Sequence, residues 1–365
     1  MTSHSPNSHT RPLARLLARI LLVVATIAIT FAGAELLYNR VSGTAKAPSQ
    51  IVEDHLYDGE PDAKLGNRLK ASHSHTAHKY RLENGRREDI YEVTYTTDEH
   101  RRRTVGHQMI ADAPHLLLFG GSFMFGEGLP DAATLQNQLK LQLRDVNIYN
   151  YAVHGWGSSG MLGILEPVDL PNEVQSRTGG AIYAYLWFHD DRNIGSSKAF
   201  WVADFPYYEP DDSGRLVHRG SIAERRPIVT ALNSGLRTLG EHSRLLSRIN
   251  VDFARWNVDA AERTAQIIIE SKRRYESLFD GKFLVLDHPM NTVVSDAERG
   301  EYERVLDLLA EAGVPVLRLP MQISEDSKIP RDGHPSALLD QQIARGLAAS
   351  EEVRALFHMP PLQAP

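Results

Sequence analysis

Two short stretches far apart in the chain carry the residue types of nucleophilic catalysis. The first is Gly120-Gly121-Ser122, which follows an apolar run at 115–119 and leads into Gly126 and Gly128. The second is Asp332-Gly333-His334-Pro335. A serine hydroxyl attacks poorly until a base takes its proton, and that base is most often a histidine held by a carboxylate. Ser122 is the candidate nucleophile, and Asp332 with His334 is the pair the chain offers to activate it.

Some set of elements has to bring these stretches together. The run at 115–119 reads as a buried parallel strand, and 146–152, 181–188, 282–287 and 314–319 repeat the pattern. Helical periodicity at 131–143, 159–165, 259–279, 297–312 and 336–348 alternates with them. Strands and helices in that order predict a three-layer α/β/α sandwich around a parallel sheet. All strand C-termini of such a sheet open on one edge, where ligands bind. Ser122 falls in a glycine turn between strand and helix, with helix N–H groups behind it suited to an oxyanion. Pro335 holds His334 out of the following helix, in a loop after strand 314–319. Gly333 lets the carboxylate and imidazole turn toward each other. The competing reading is that Asp332 and Ser336 merely cap the last helix and leave His334 exposed.

The order of these blocks, with Gly155 in Asn150-Tyr151-Ala152-Val153-His154-Gly155-Trp156-Gly157 between them, resembles the SGNH/GDSL hydrolases, most closely their membrane-anchored bacterial branch. The likeness covers most of residues 56–350, including Tyr57-Asp58, Leu65-Gly66 and Tyr95-Thr96-Thr97-Asp98-Glu99-His100. It implies the flavodoxin-like SGNH fold, with Ser122 as nucleophile, His334 as general base and Asp332 as its orienting partner. The backbone N–H groups of Ser122 and Gly155 would form the oxyanion hole; losing one such donor costs about 2.7–4 kcal/mol of barrier. It also implies a serine esterase or acyltransferase acting on O-acyl esters, acetyl foremost, carried by carbohydrate and without a cofactor. The chain departs from the family pattern in three places. Gly-Gly-Ser replaces Gly-Asp-Ser, and Asp-x-His is one residue shorter than Asp-x-x-His. The third block, which carries an asparagine amide for the oxyanion, here reads His189-Asp190-Asp191-Arg192-Asn193. His189 could donate from a ring nitrogen and Asn193 is the second choice, whereas an ionised Asp190 has nothing to donate. Ser158 and Ser159 do not sit in a Gly-x-Ser-x-Gly elbow, which argues against an ordinary α/β-hydrolase.

The 365 residues, 42% hydrophobic and 24% charged, hold one large globular domain plus attachments. A net charge of -6 gives no support for nucleic acid as a partner. The absence of cysteine removes disulfides and thiolate metal sites. Arg11, Arg15 and Arg19 precede an apolar run at 20–34, and residues 16–38 approach the roughly 20 residues of a spanning helix. Basic residues on that flank predict a cytoplasmic tail at 1–15, an inner-membrane anchor, and a periplasmic remainder. A cleaved signal peptide ending near Ala32-Gly33-Ala34 is the alternative. A linker is expected at 39–55, a small antiparallel β element at 56–108, the main domain at 109–352 and a tail at 353–365. Within the main domain the alternation lapses at 190–255, where a hairpin turns at Asp212-Ser213-Gly214.

Other residues offer rival chemistry. His73 and His75 share a strand face near His78 and could bind zinc or copper, or form a solvated strand. His189, Asp190 and Asp191 are a second candidate cluster. Trp201, Phe205, Tyr207 and Tyr208 either build a sugar-stacking wall or pack a hairpin onto its domain. Arg101-Arg102-Arg103 reads as a solvated edge, with contact to an anionic polymer as the other option. Two rival functions follow: a non-catalytic carbohydrate-binding or assembly subunit on the same fold, and a metal-dependent enzyme built on these histidines.

Overall fold

The computed structural model describes residues 10–41, 50–166, 170–243, 251–292 and 295–360. The start of the expected N-terminal tail, residues 42–49 of the expected linker and the chain's last five residues lie outside them. Two units are distinguished. One comprises residues 1–48 and 234–251, the other residues 49–233 and 252–365. The first holds α1 (Thr10–Val41). That helix covers the expected span at 16–38, yet no helix of the described residues is long and apolar enough to cross a membrane.

The second unit opens with β1 (Gln50–Asp54), which lies inside the stretch expected to be linker and pairs antiparallel with the strand Ser74–Glu83. β2 (Gly59–Asp62) and β3 (Gly66–Leu69) form a hairpin. β4 (Ser74–Glu83) and β5 (Arg86–Thr96) form a longer one. Asn84 and Gly85 turn it with φ of 51° and 75°, the two left-handed residues that a tight hairpin needs.

The parallel sheet follows. β6 (His115–Phe119), α2 (Ser122–Phe125), α3 (Leu135–Gln142), β7 (Asn147–Asn150), α4 (Ser158–Leu165), α5 (Leu170–Glu173) and β8 (Thr178–Tyr185) come first. α6 (His189–Ile194), β9 (Pro206–Pro210), β10 (Leu216–Ser221), α7 (Ile222–Arg225) and α8 (Pro227–His242) make the excursion. α9 (Ala260–Leu278), β11 (Asp280–Asp287), α10 (Asp296–Glu311), β12 (Val316–Arg318), α11 (Ala337–Ala349) and α12 (Glu351–Leu356) close the chain.

The strands lie in the order β12-β11-β8-β6-β7, all parallel. β6 shows why both faces are covered. Leu116 and Leu118 pack with Leu135 and Leu139 of α3 and Ile343 of α11. Leu117 and Phe119 pack on the opposite side with Met161 of α4, Ile268 of α9 and Leu309 of α10. Side chains alternate across a strand, so a strand buried on both faces must be apolar throughout. The chain runs from β6 outward to β7, then returns to the other side of β6 for β8. The crevice between β6 and β8 is therefore a topological switch point, where doubly wound sheets bind ligands.

Candidate active site

Ser122 is the first residue of α2, at the C-terminal end of β6. The turn before it needs glycine because of space. A Cβ on Gly121 would sit 2.8 Å from Arg192 Nη1 and 2.9 Å from the Trp156 carbonyl oxygen. His334 comes from the loop between β12 and α11. The Ile329 N–H donates to the His334 carbonyl at 2.8 Å, and Gly333 takes a φ of 94°. That left-handed residue folds the short Asp-x-His spacing back on itself.

The three side chains meet in a line. His334 Nε2 lies 2.8 Å from Ser122 Oγ. His334 Nδ1 lies 2.5 Å from Asp332 Oδ1 and 3.0 Å from Oδ2. A carboxylate can only accept, so Nδ1 carries the proton and Nε2 is left to accept from the serine hydroxyl. The Asp332 side chain is fully buried and that of His334 is 17% exposed. Ser336 does cap α11, accepting from the Leu339 N–H, but Asp332 is turned to the imidazole instead.

Two further groups, unread in the sequence, complete this network. Gly126 and Gly128, with φ of 82° and 78°, turn the chain after α2 so that Glu127 comes back beneath the site. Glu127 Oε2 accepts from His154 Nδ1 at 2.8 Å and lies 3.4 Å from His334 Nε2, while Tyr91 donates to Oε1 at 3.2 Å. Burial alone would raise the Glu127 carboxyl, but His334, His154 and Lys79 together hold it at about 2. Lys79, on β4, donates to Asp332 Oδ2 at 3.2 Å and pairs with Glu53 at 2.7 Å. Burial works against its charge, yet Glu53, Asp332 and Glu127 outweigh burial and raise its pKa. The signal for Lys79 was its position: it follows Ala77 on the inward face of β4, where a lysine requires a partner. Glu127, Asp332 and His334 have the spacing of a metal site, but the Lys79 ammonium already supplies a cation to both carboxylates.

A cavity of about 410 Å³ opens on Ser122 and His334, walled by Phe123, Trp187, Phe188, Arg192 and Trp201. Gly155 is held against one of its walls: φ is 74°, and the Trp201 indole donates to the Gly155 carbonyl at 3.2 Å. Among the described residues, neither the Ser122 nor the Gly155 N–H has a protein acceptor.

Other expected residues are placed elsewhere. Asn193 does not face the cavity. Its amide nitrogen donates to Ser158 Oγ and Thr264 Oγ1, both at 2.8 Å, and its oxygen accepts from the Ser159 N–H. His189 binds the Tyr183 hydroxyl at 2.7 Å through Nδ1, and its buried Nε2 points to the Gly121 side without a partner. Tyr207 and Tyr208 are 2% and 1% exposed, and Phe205 is buried with them. They pack the β9–β10 hairpin onto the domain and build no wall, so of that group Trp201 alone lines the cavity. His189, Asp190 and Asp191 diverge, to Tyr183, Tyr185 and Arg255 respectively. Arg102 and Arg103 are 5% and 1% exposed, not a solvated edge. Their charges are held inside by Asp98 and Asp131. His78 joins Asp89 and Arg87, away from His73. His73 and His75 instead lie within metal-ligand spacing of Asp58, whose other oxygen is held by Lys70.

No family model and no curated protein matches the chain. Solved structures do. A lipolytic protein of the G-D-S-L family from Veillonella parvula is 12% identical, with 64% of this chain and 96% of that one covered and a TM-score of 0.34. The lipase/acylhydrolase from Enterococcus faecalis is 12% identical over 69% and 100%, TM-score 0.35. A carbohydrate acetylesterase family member from Sinorhizobium meliloti is 11% identical over 67% and 100%, TM-score 0.34. At such identities and scores, function has to be argued from the side chains.

Proposed function

We propose that this protein is a serine ester hydrolase of the GDSL type that removes short acyl groups, acetyl foremost, from carbohydrate. The observation that carries the reading is the Asp332–His334–Ser122 hydrogen-bonded line, opening on a cavity. Ser122 Oγ attacks the acyl carbonyl carbon while its proton passes to His334 Nε2, and the carbonyl electron pair moves onto oxygen. The intermediate collapses: the sugar hydroxyl leaves with the proton from His334, and the acyl group stays on Ser122. Water then repeats the sequence and frees the acid; a second sugar hydroxyl in its place would make the protein a transferase. Asp332 steadies the imidazolium in each half. The largely apolar walls suit a small acyl group, and the Trp201 ring, 43% exposed, offers a sugar a face to stack on. The reading includes export, by a basic-flanked apolar N-terminal segment that tethers the catalytic unit at the periplasmic face.

Fluorophosphonate labelling of the purified protein tests it, alongside acetate release from acetylated polysaccharide. Label and activity are expected in the wild type, both lost in Ser122→Ala and both indifferent to chelator. Sugar binding without labelling would make the protein a binding subunit instead, and activity that survives Ser122→Ala but not chelator would make it a metalloenzyme.

A further inference from the structure

Arg192, on α6, is only 8% exposed, yet no carboxylate among the described residues pairs with it. The neighbouring Asp191 is taken by Arg255 at 2.6 Å. Among the described residues the Arg192 guanidinium makes one protein hydrogen bond, from Nη1 to the Trp156 carbonyl at 2.6 Å. Burial lowers its pKa to about 10, so it remains a cation at neutral pH. Taking an ion out of water without a counter-charge costs several kcal/mol, and the Phe188 and Trp201 rings, 4.7 Å and 5.7 Å from it, offset only part of that. Buried charged groups perturbed in this way concentrate at functional sites when they line a cleft.

The fold says which cleft this is. α6 follows β8 and α2 follows β6, so Arg192 and Ser122 flank the switch-point crevice from its two sides. Arg192 lines the cavity with Ser122 and His334, and its Nη1 packs against Gly121, the residue before the nucleophile. In ester cleavage a full negative charge forms in this cavity at one moment, on the carbonyl oxygen once Ser122 has added. Of the side-chain donors expected from this segment, Asn193 is engaged behind α6, and His189, whose Nε2 faces Gly121, does not line the cavity, whereas Arg192 does.

We propose that Arg192 is a catalytic residue that takes the negative charge developing on the substrate carbonyl oxygen, donating alongside the backbone N–H groups. The proposal rests on the esterase reading above. Its test uses the full-length protein and a neutral probe, 4-nitrophenyl acetate, with kcat and KM measured for wild type, Arg192→Lys, Arg192→Gln and Arg192→Ala. Arg192→Gln is expected to lower kcat about 10²–10³-fold, the scale of one oxyanion donor, with KM nearly unchanged. Arg192→Lys keeps the charge but not the planar fork and should recover part of the rate. Guanidinium ion added to Arg192→Ala should restore some kcat, which a purely structural tie to Trp156 would not produce. Two results overturn the assignment while leaving the esterase intact. One is an Arg192→Gln kcat within about threefold of wild type. The other is a defect confined to KM, appearing with acetylated uronic acids and absent with the neutral ester, which would make Arg192 a site for the substrate's own carboxylate. Wild-type protein that neither turns over nor takes the fluorophosphonate label overturns the esterase reading itself, and this assignment with it.

Discussion

Five residues after the nucleophile, Glu127 brings a second carboxylate to the nitrogen that Ser122 uses, 3.4 Å from His334 Nε2. While Nε2 is unprotonated the two are poor neighbours; once the serine proton arrives, Glu127 helps hold the imidazolium. Its carboxyl is held near 2 against an ordinary 4.5. A carboxyl lowered on folding adds stability that is complete above its unfolded value and lost as the pH falls through its folded one, here between 4.5 and about 2. Glu127→Gln should therefore be less stable than wild type at pH 7 in urea melts, with the gap closing as the pH falls through that window. A gap that stays constant from pH 7 to pH 3 would remove Glu127 from the ionised network. None of this was legible beforehand, since Gly126-Glu127-Gly128 reads only as a turn and the return of its side chain depends on the path of the loop.

Among elements, the short α2 and the loop behind it depend on Arg103. This side chain, 1% exposed, donates to the carbonyls of Phe125, Gly126 and Leu129 and to Asp131 at 2.8–3.3 Å. It closes the C-terminal end of α2 and ties the segment carrying Ser122 and Glu127 to the strand pair of the small β element. Arg103→Met would leave the Phe125 and Leu129 carbonyls without a donor and Asp131 without its cation, while Gly126 keeps the Leu129 N–H and Asp131 the Thr96 and Thr104 hydroxyls. It should cost about 3–5 kcal/mol in a denaturant titration, and Ser122 should label more slowly. A loss below about 1 kcal/mol would show that water replaces the guanidinium readily. The arginine triplet was misread because its charge density matches an exposed edge. Burial of Arg103 is decided by an acid 28 residues further on, which no local pattern reveals. The strands of the sheet, by contrast, were legible one by one, because burial on both faces imposes an unbroken apolar run.

At the scale of the molecule, every residue placed in the site belongs to the unit of residues 49–233 and 252–365. Protein lacking residues 1–48 should keep kcat/KM on a small ester within about twofold of full length and move from the membrane fraction to the supernatant. Unchanged partitioning would refute the tether, and lost turnover would give the N-terminal segment a part in catalysis. What the sequence determined alone was the alternation that makes a parallel sheet, and two motifs whose glycines and proline dictate turns at its rim. Those depend on local conformational preference and on periodic burial, both written in neighbouring residues. Tertiary structure decided the rest: which strands flank β6, that Lys79 from β4 meets Asp332, that Asn193 turns away, and that Arg192 is left facing the cavity. Partners distant in sequence are chosen by packing across layers, and a charged side chain shows its purpose only once the fold shows what it does, and does not, pair with.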